Sequence, residues 1–172
     1  MKRVFSLMAV LVLVAGCSGS DTAPAADDTH IQFTAQLLPS SEVPPVTNSE
    51  ASGRGTATID FNLTKDSAGT ITAVTVHYRV DLSGFPATMT GITAAHIHPG
   101  AAGTANSPLQ GSIVATGEVV LTNGAGTFSR LYVTTVSATN AQAIIANPAA
   151  FYFNVHSAAN PPGVARGQLV RN

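Results

Sequence analysis

Three histidines have the residue type and spacing that a metal site needs. His96 and His98 are two positions apart in an alternating segment, so in a β-strand both imidazoles would point to one face. His156 could supply a third nitrogen, since alternation puts it on one face with Tyr152 and Asn154. Three imidazoles without a thiolate suit copper(II) or zinc. The alternative is structural: the histidines bond backbone carbonyls, hold the turn that follows His98, and have no ligand.

Glu42 and Arg166 form a second candidate pair, at opposite ends of the chain. Glu42 precedes two prolines, and Arg166 lies in the last alternating segment. If the terminal strands are neighbours, a bidentate ion pair between these residues would tie the two ends together. The alternative is two exposed and independent charges, which contribute little to stability. We interpret them as a structural pair.

The other residues of catalytic type do not form a recognisable site. His77 alternates onto the face of Thr75 and Arg79 and is predicted to be a solvated strand residue, and His30 is expected to have no site role. The sequence contains no nucleophile elbow and no glycine-rich phosphate loop before a helix. We therefore expect a protein that is not an enzyme.

Charge is scarce along the whole chain. The 172 residues include 8 basic and 9 acidic ones, a net charge of −1. Nucleic-acid binding needs a basic stripe and a coiled coil needs charged flanks, so both classes are excluded. Threonine, at 20 residues, outnumbers all the charged residues together, and threonine favours the half-buried surface of a β-sheet.

The amino terminus has the pattern of a lipoprotein signal. Lys2 and Arg3 precede an apolar run at 4–15, which is too short to span a bilayer. The run ends in Val14-Ala15-Gly16-Cys17, which resembles the bacterial lipobox, and Cys17 is the only cysteine. The alternative is an ordinary secretory signal with a chance cysteine.

These features predict three segments: a signal peptide at 1–16, a lipidated Cys17 with a flexible tether at 17–29, and one domain at 30–172. Lipid on Cys17 would anchor the protein to a membrane of the bacterial cell envelope, on its periplasmic or cell-surface face. Ser18 after the cysteine favours the outer membrane if the host is Gram-negative.

Short alternating segments separated by Gly, Pro and Asn fill the rest of the chain. The Asn123-Gly124 pair is typical of a hairpin turn. One short helix is predicted at 138–147, with Thr139 or Asn140 as its cap and Pro148 as its stop. The pattern predicts an all-β fold, an antiparallel sandwich of about eight strands with one helix. The predicted strands are 31–37, 57–63, 74–82, 92–98, 111–121, 126–133, 150–156 and 164–170.

Four motifs occur in a specific order: Glu42-Val43-Pro44-Pro45, Ala95-His96-Ile97-His98-Pro99-Gly100, Tyr152-Phe153-Asn154-Val155-His156 and Arg166-Gly167-Gln168-Leu169. Together they resemble the CHRD domain, first described in chordin, over about residues 30–170. The family usually carries Gly-Glu-Ile-Arg-Gly near its end, where this chain has Gly163-Val164-Ala165-Arg166-Gly167. The resemblance implies an extracytoplasmic interaction module with an immunoglobulin-like or superoxide-dismutase-like β-sandwich.

Two functional interpretations follow from these residues. The first is a membrane-anchored, non-enzymatic binding module whose partner is an unidentified protein or glycan. The second is a periplasmic or surface lipoprotein that binds copper or zinc through His96, His98 and His156. The His-x-His spacing is also similar to that of the copper/zinc superoxide dismutases, but a bridging histidine and a zinc-loop aspartate are missing, so we do not expect dismutase activity.

Overall fold

The computed structural model describes residues 28–132 and 136–172. This part of the chain forms ten strands and one α-helix. The strands are β1 (His30–Leu37), β2 (Arg54–Lys65), β3 (Ile71–Ser83), β4 (Gly91–Ile92), β5 (Ala94–Pro99), β6 (Val119–Val120), β7 (Gly126–Tyr132), β8 (Phe151–His156), β9 (Ala165–Gln168) and β10 (Val170–Arg171), and helix α1 is Ala138–Ala146. Short 3-10 turns occupy Pro39–Ser41, Ser49–Ser52 and Pro148–Ala150.

Five strands form the larger antiparallel sheet, in the order β10-β1-β2-β3-β7. The long strands β2 and β3 pair along nearly their whole length, with Ile59 opposite Tyr78 and Phe61 opposite Val76. Their alternating apolar residues are buried on one face while the threonine-rich positions between them remain more exposed. The alternation read from the sequence thus fixes which face of this sheet meets the core.

A three-stranded antiparallel sheet, β5-β8-β9, packs its apolar residues into the same core. The molecule is therefore an all-β sandwich with one short helix, as the sequence predicts. A further pair of short strands, β4 and β6, lies beside these sheets.

The carboxyl terminus connects the two sheets. The predicted strand at 164–170 is divided at Leu169 into β9, which pairs with β8, and β10, which pairs with β1. Leu38 and Arg166 also exchange backbone hydrogen bonds, of 3.1 and 3.3 Å. The first and last strands of the domain are therefore neighbours.

Two predicted strands differ from the structure. Segment 92–98 is divided between β4 and β5, which pair with different partners. The predicted strand at 111–121 is wrong except at Val119–Val120. In the irregular part, Ser112 Oγ accepts from the Ala95 backbone and donates to the Val114 carbonyl, and a carboxylate oxygen of Glu118 accepts from the Ala115 backbone. Local side-chain bonds thus replace a sheet ladder.

The predicted turn and helix are both present. Asn123 and Gly124 adopt positive φ angles of 51° and 69°, and Thr122 and Ala125 exchange backbone bonds across them. Helix α1 is capped by Ser137, whose hydroxyl accepts from the Asn140 backbone, so the predicted caps Thr139 and Asn140 are wrong by two or three positions. Within the described residues no helix has the length and apolarity needed to cross a membrane.

Candidate metal centre

The candidate site lies on the polar face of the β5-β8-β9 sheet. Alternation sends Ala95, Ile97, Phe153 and Val155 into the core and leaves a set of polar side chains on the other face. This set, which we call the polar face, comprises His96, His98, Tyr152, Asn154, His156, Arg166 and Gln168. Strand pairing places His96 opposite Asn154 and His98 opposite Tyr152.

The structure brings the three predicted histidines together. His96 Nδ1 lies 3.1 Å from His156 Nε2, and one ring nitrogen from each of the three residues lies within 4.8 Å of the others. Bonds of about 2.1 Å in a tetrahedral arrangement separate ligand nitrogens by about 3.4 Å. The 3.1 Å between the His96 and His156 nitrogens already suits two ligands of one ion. The widest separation in the cluster, at most 4.8 Å, exceeds the expected distance of about 3.4 Å by about 1.4 Å.

Backbone carbonyls orient two of the three rings. His98 Nδ1 lies 2.7 Å from the Asn106 carbonyl oxygen, and His156 Nδ1 lies 2.8 Å from that of Pro161. Each Nδ1 must therefore carry the proton and donate it, which leaves Nε2 unprotonated with its lone pair. The lone pair of His156 Nε2 accepts a hydrogen bond from His96 Nδ1. His98 Nε2 is buried and has no hydrogen-bond partner. In metal-ligating histidines, the ring nitrogen that does not bind the metal typically donates a hydrogen bond of this kind.

Burial favours the neutral form of all three rings. It is the main cause that lowers the pKa of His96 to about 4, and the neighbouring His156 and His98 lower it further. The pKa values of His98 and His156 are also lowered, mainly by burial, while their bonds to Asn106 and Pro161 act in the opposite direction. Neutral imidazole is the form that binds a metal ion. His96 is only half-buried, so the cluster is open to solvent on its side.

Tyr152 packs beside the cluster, and the sequence did not single it out. Its ring stacks on His98, with centroids 4.8 Å apart and an interplanar angle of 10°. The Arg166 guanidinium carbon lies 4.0 Å from the centroid of the same ring, which is close enough for a cation–π contact. Tyr152 therefore contacts both a candidate ligand and the buried arginine. The only sequence feature that pointed to these contacts was that Tyr152 lies on the same face of β8 as His156.

Glu42 and Arg166 are both buried, with 7% and 2% of their surfaces exposed. They are close enough for the arginine charge to lower the pKa of Glu42, but burial has the larger effect and raises that pKa to about 7. Arg166 Nη1 donates to the Thr104 carbonyl at 2.6 Å. The four salt bridges among the described residues do not include Glu42 with Arg166, so the expected bidentate pair is not formed.

Unpartnered buried atoms concentrate near the polar face. Among the described residues, seven buried side-chain atoms have no hydrogen-bond partner. Five of them belong to four neighbouring residues: Glu42 Oε1, His98 Nε2, Asn154 Oδ1, and Arg166 Nε and Nη2. Leaving a buried polar atom unpaired costs about 1–3 kcal/mol, so this concentration marks the region where a bound species would be most favourable.

His77 has more partners than a solvated strand residue would. Its Nε2 lies 2.6 Å from Ser129 Oγ, and its Nδ1 lies 2.9 Å from Arg79 Nη1. Arginine can only donate, so His77 Nδ1 accepts and Nε2 carries the proton. In this tautomer His77 cannot take a proton from Ser129, so the pair is not a nucleophile with its base. His30 Nε2 lies 3.7 Å from Asp60 Oδ1 at the edge of the same network.

The fold and the site define an all-β sandwich that carries a three-histidine cluster on the outer face of its smaller sheet. The chain belongs to the CHRD family, because the model of the CHRD domain matches residues 33–169. Neither a curated protein nor a solved structure matches the chain. The family supports a binding or interaction module. Cys17, the predicted lipidation site, lies outside the described residues.

Proposed function

We propose that this chain is a non-enzymatic binding module of the bacterial cell envelope whose ligand is a copper or zinc ion. His96, His98 and His156 would supply three nitrogens, and the fourth position of a tetrahedral site would be open to water or another small ligand. The proposal joins the binding role expected of a CHRD domain to the only cluster of three metal-ligating side chains found among the described residues.

The observation that carries the proposal is the arrangement of the three ring nitrogens. Two of them are 3.1 Å apart, and the set spans no more than 4.8 Å. The hydrogen bonds to the Asn106 and Pro161 carbonyls leave Nε2 of His98 and His156 unprotonated. A bound ion would take the place of the proton that His156 Nε2 accepts from His96 Nδ1. In a purely structural cluster, a buried and unpartnered nitrogen such as His98 Nε2 would be an uncompensated cost.

Membrane attachment is the second component of the proposal. The lipobox pattern ending at Cys17 supports acylation and an extracytoplasmic location. The module would then hold its ion close to the membrane surface, at the end of the tether at 17–29.

Calorimetric titration of the purified, metal-free protein with Zn(II) and with Cu(II) tests the metal site. We expect one equivalent of at least one metal to bind with a Kd below about 1 μM. The double variant His96→Ala/His98→Ala should lose this binding, because two of the three ligands are gone.

His77→Ala is the matched control, since His77 is a histidine of the same domain outside the cluster. It should bind metal as the unaltered protein does. Absence of stoichiometric binding at micromolar concentration, or equal loss in the double variant and in His77→Ala, would overturn the proposal.

A further inference from the structure

A cavity of about 410 Å³ lies beside the carboxyl-terminal strand β9. Two connecting segments form its other walls, one after β1 and one after β5. Its lining includes Ser41, Glu42, Val43, Ala102, Arg166 and Gln168. None of the three cluster histidines lines it. Its volume falls in the range of roughly 300–1,000 Å³ that small-molecule sites occupy.

Arg166 brings to this cavity a cation that forms no salt bridge with the described residues, although it lies over the Tyr152 ring. Only one of its guanidinium nitrogens, Nη1, has a hydrogen-bond acceptor, the Thr104 carbonyl. Nε and Nη2 are buried and unpartnered. These two nitrogens form the edge of a guanidinium that binds a carboxylate through two parallel hydrogen bonds. A buried arginine with this edge free is costly unless an acceptor occupies it.

Glu42 brings a carboxyl group to the same cavity, and this group is negatively charged above its raised pKa of about 7. Its Oε1 atom is buried without a donor, although the carboxyl group lies close enough to feel the arginine charge. No contact within 4.0 Å closes the gap between the two side chains. Two of the residues that line the cavity therefore hold a free edge of hydrogen-bond donors and a free acceptor, both buried at its wall and not in contact with each other.

We propose that this cavity binds a small α-amino acid zwitterion, with the ligand's carboxylate on Arg166 Nε and Nη2 and its ammonium group on Glu42 Oε1. An α-amino acid carries the two charges on groups bonded to the same carbon atom, which matches two side chains that are near each other but unpaired. Val43, Pro45 and Ala102 make part of the wall apolar and suit an aliphatic side chain. This site is separate from the metal cluster and does not depend on it.

Access to the two charged groups requires a small local movement. Glu42 lies in the connection between β1 and β2, immediately after a 3-10 turn, and not within a sheet ladder. Ala102, on the opposite wall, is exposed and lies in the connection that follows β5. Connections of this kind adjust more readily than paired strands, so the ligand can reach the buried atoms without disrupting either sheet.

Titration of the purified protein with L-valine, followed by backbone NMR shifts and calorimetry, tests the inference. We expect saturable binding with a Kd below about 1 mM and shifts centred on residues 40–45, 101–104 and 166–168. Two analogues lack one charge each: 3-methylbutanoate has no ammonium group, and isobutylamine has no carboxylate. Each should bind at least about tenfold more weakly, because one buried group stays unpaired.

Variants locate the binding. Arg166→Lys keeps the charge but removes the paired donors and should weaken L-valine binding by about tenfold or more. Because Arg166 is buried and this variant could fail to fold, a second variant, Ala102→Phe, fills the cavity from its exposed wall. It should abolish binding while thermal unfolding stays unchanged. Ala101→Phe is the matched control, since Ala101 is exposed and does not line the cavity.

Several outcomes would overturn the inference: no saturable binding of L-valine, equal affinity for 3-methylbutanoate, or binding that persists in Ala102→Phe. The metal titration is independent of these results. Loss of metal binding in His96→Ala/His98→Ala with intact L-valine binding would support two separate sites.

Discussion

At the scale of single residues, burial decides the chemistry of the histidine cluster. The same imidazoles in water would have pKa values near 6.5 and would be partly charged in mildly acidic surroundings. Here desolvation is the largest influence on all three rings and disfavours the charged form. The lone pairs are therefore available for an ion over a wider pH range than those of exposed histidines.

This shift predicts how metal affinity depends on pH. A lowered pKa means that the ring stays neutral as the pH falls, so protons compete with the metal only at more acidic pH. Three ordinary histidines would lose about a thousandfold in affinity between pH 7.5 and 5.5, about tenfold per ligand. For this protein we expect a loss of less than about tenfold in Zn(II) affinity, measured by calorimetry at both pH values.

A thousandfold loss in that interval would show that the cluster is solvated like surface histidines. His77→Ala should follow the same pH profile as the unaltered protein, because His77 contributes no ligand.

At the scale of elements, the polar face depends on how closely β9 approaches β1. A Cβ atom added at Gly167 would lie 2.1 Å from the Gln36 carbonyl oxygen, which belongs to the β1 backbone. No side chain fits in that space. Gly167 also follows Arg166, whose backbone pairs with Leu38 just beyond β1. The close approach of these strands thus sets the position of Arg166 on the polar face.

Gly167→Ala should therefore destabilise the domain strongly. The methyl group forces two backbones apart, and we expect a loss of about 3 kcal/mol in the free energy of unfolding, measured by urea denaturation. Gly111→Ala is the matched control, because a Cβ there meets nothing within 4 Å. It should change stability by less than about 0.5 kcal/mol. Equal stabilities of the two variants would contradict the close approach.

At the scale of the whole molecule, the chain combines a predicted membrane anchor with one β-sandwich. The domain carries little charge, so electrostatic attraction to anionic lipid cannot replace a covalent anchor. The proposed location therefore depends on Cys17 alone, the only cysteine of the chain.

Cys17→Ser should move the protein from the membrane fraction to the soluble fraction, because serine cannot carry the thioether-linked lipid. Cell fractionation with immunoblotting measures the distribution, and metabolic labelling with a radioactive fatty acid measures acylation. Ser18→Ala is the control and should remain labelled and membrane-bound. A Cys17→Ser protein that stays in the membrane fraction would show that another segment holds it there.

Local patterns in the sequence predicted most of the β-structure. Alternation identified β1, β2, β3 and β8 because a strand with one buried face repeats every two residues. The turn at Asn123-Gly124 was predictable because few residues accept positive φ. The segment 111–121 was mispredicted because its β-branched apolar residues are typical of a strand, while Ser112 and Glu118 satisfy the backbone locally.

The sequence by itself determined that His96 and His98 share a face, since that follows from strand periodicity alone. Only the tertiary structure decided that His156 joins them, because the pairing of β5 with β8 joins segments more than 50 residues apart through non-local hydrogen bonds. It also decided that Arg166 contacts Thr104 and the Tyr152 ring instead of Glu42. Side-chain partners of this kind depend on how two sheets and their connections pack, and no local pattern encodes that packing.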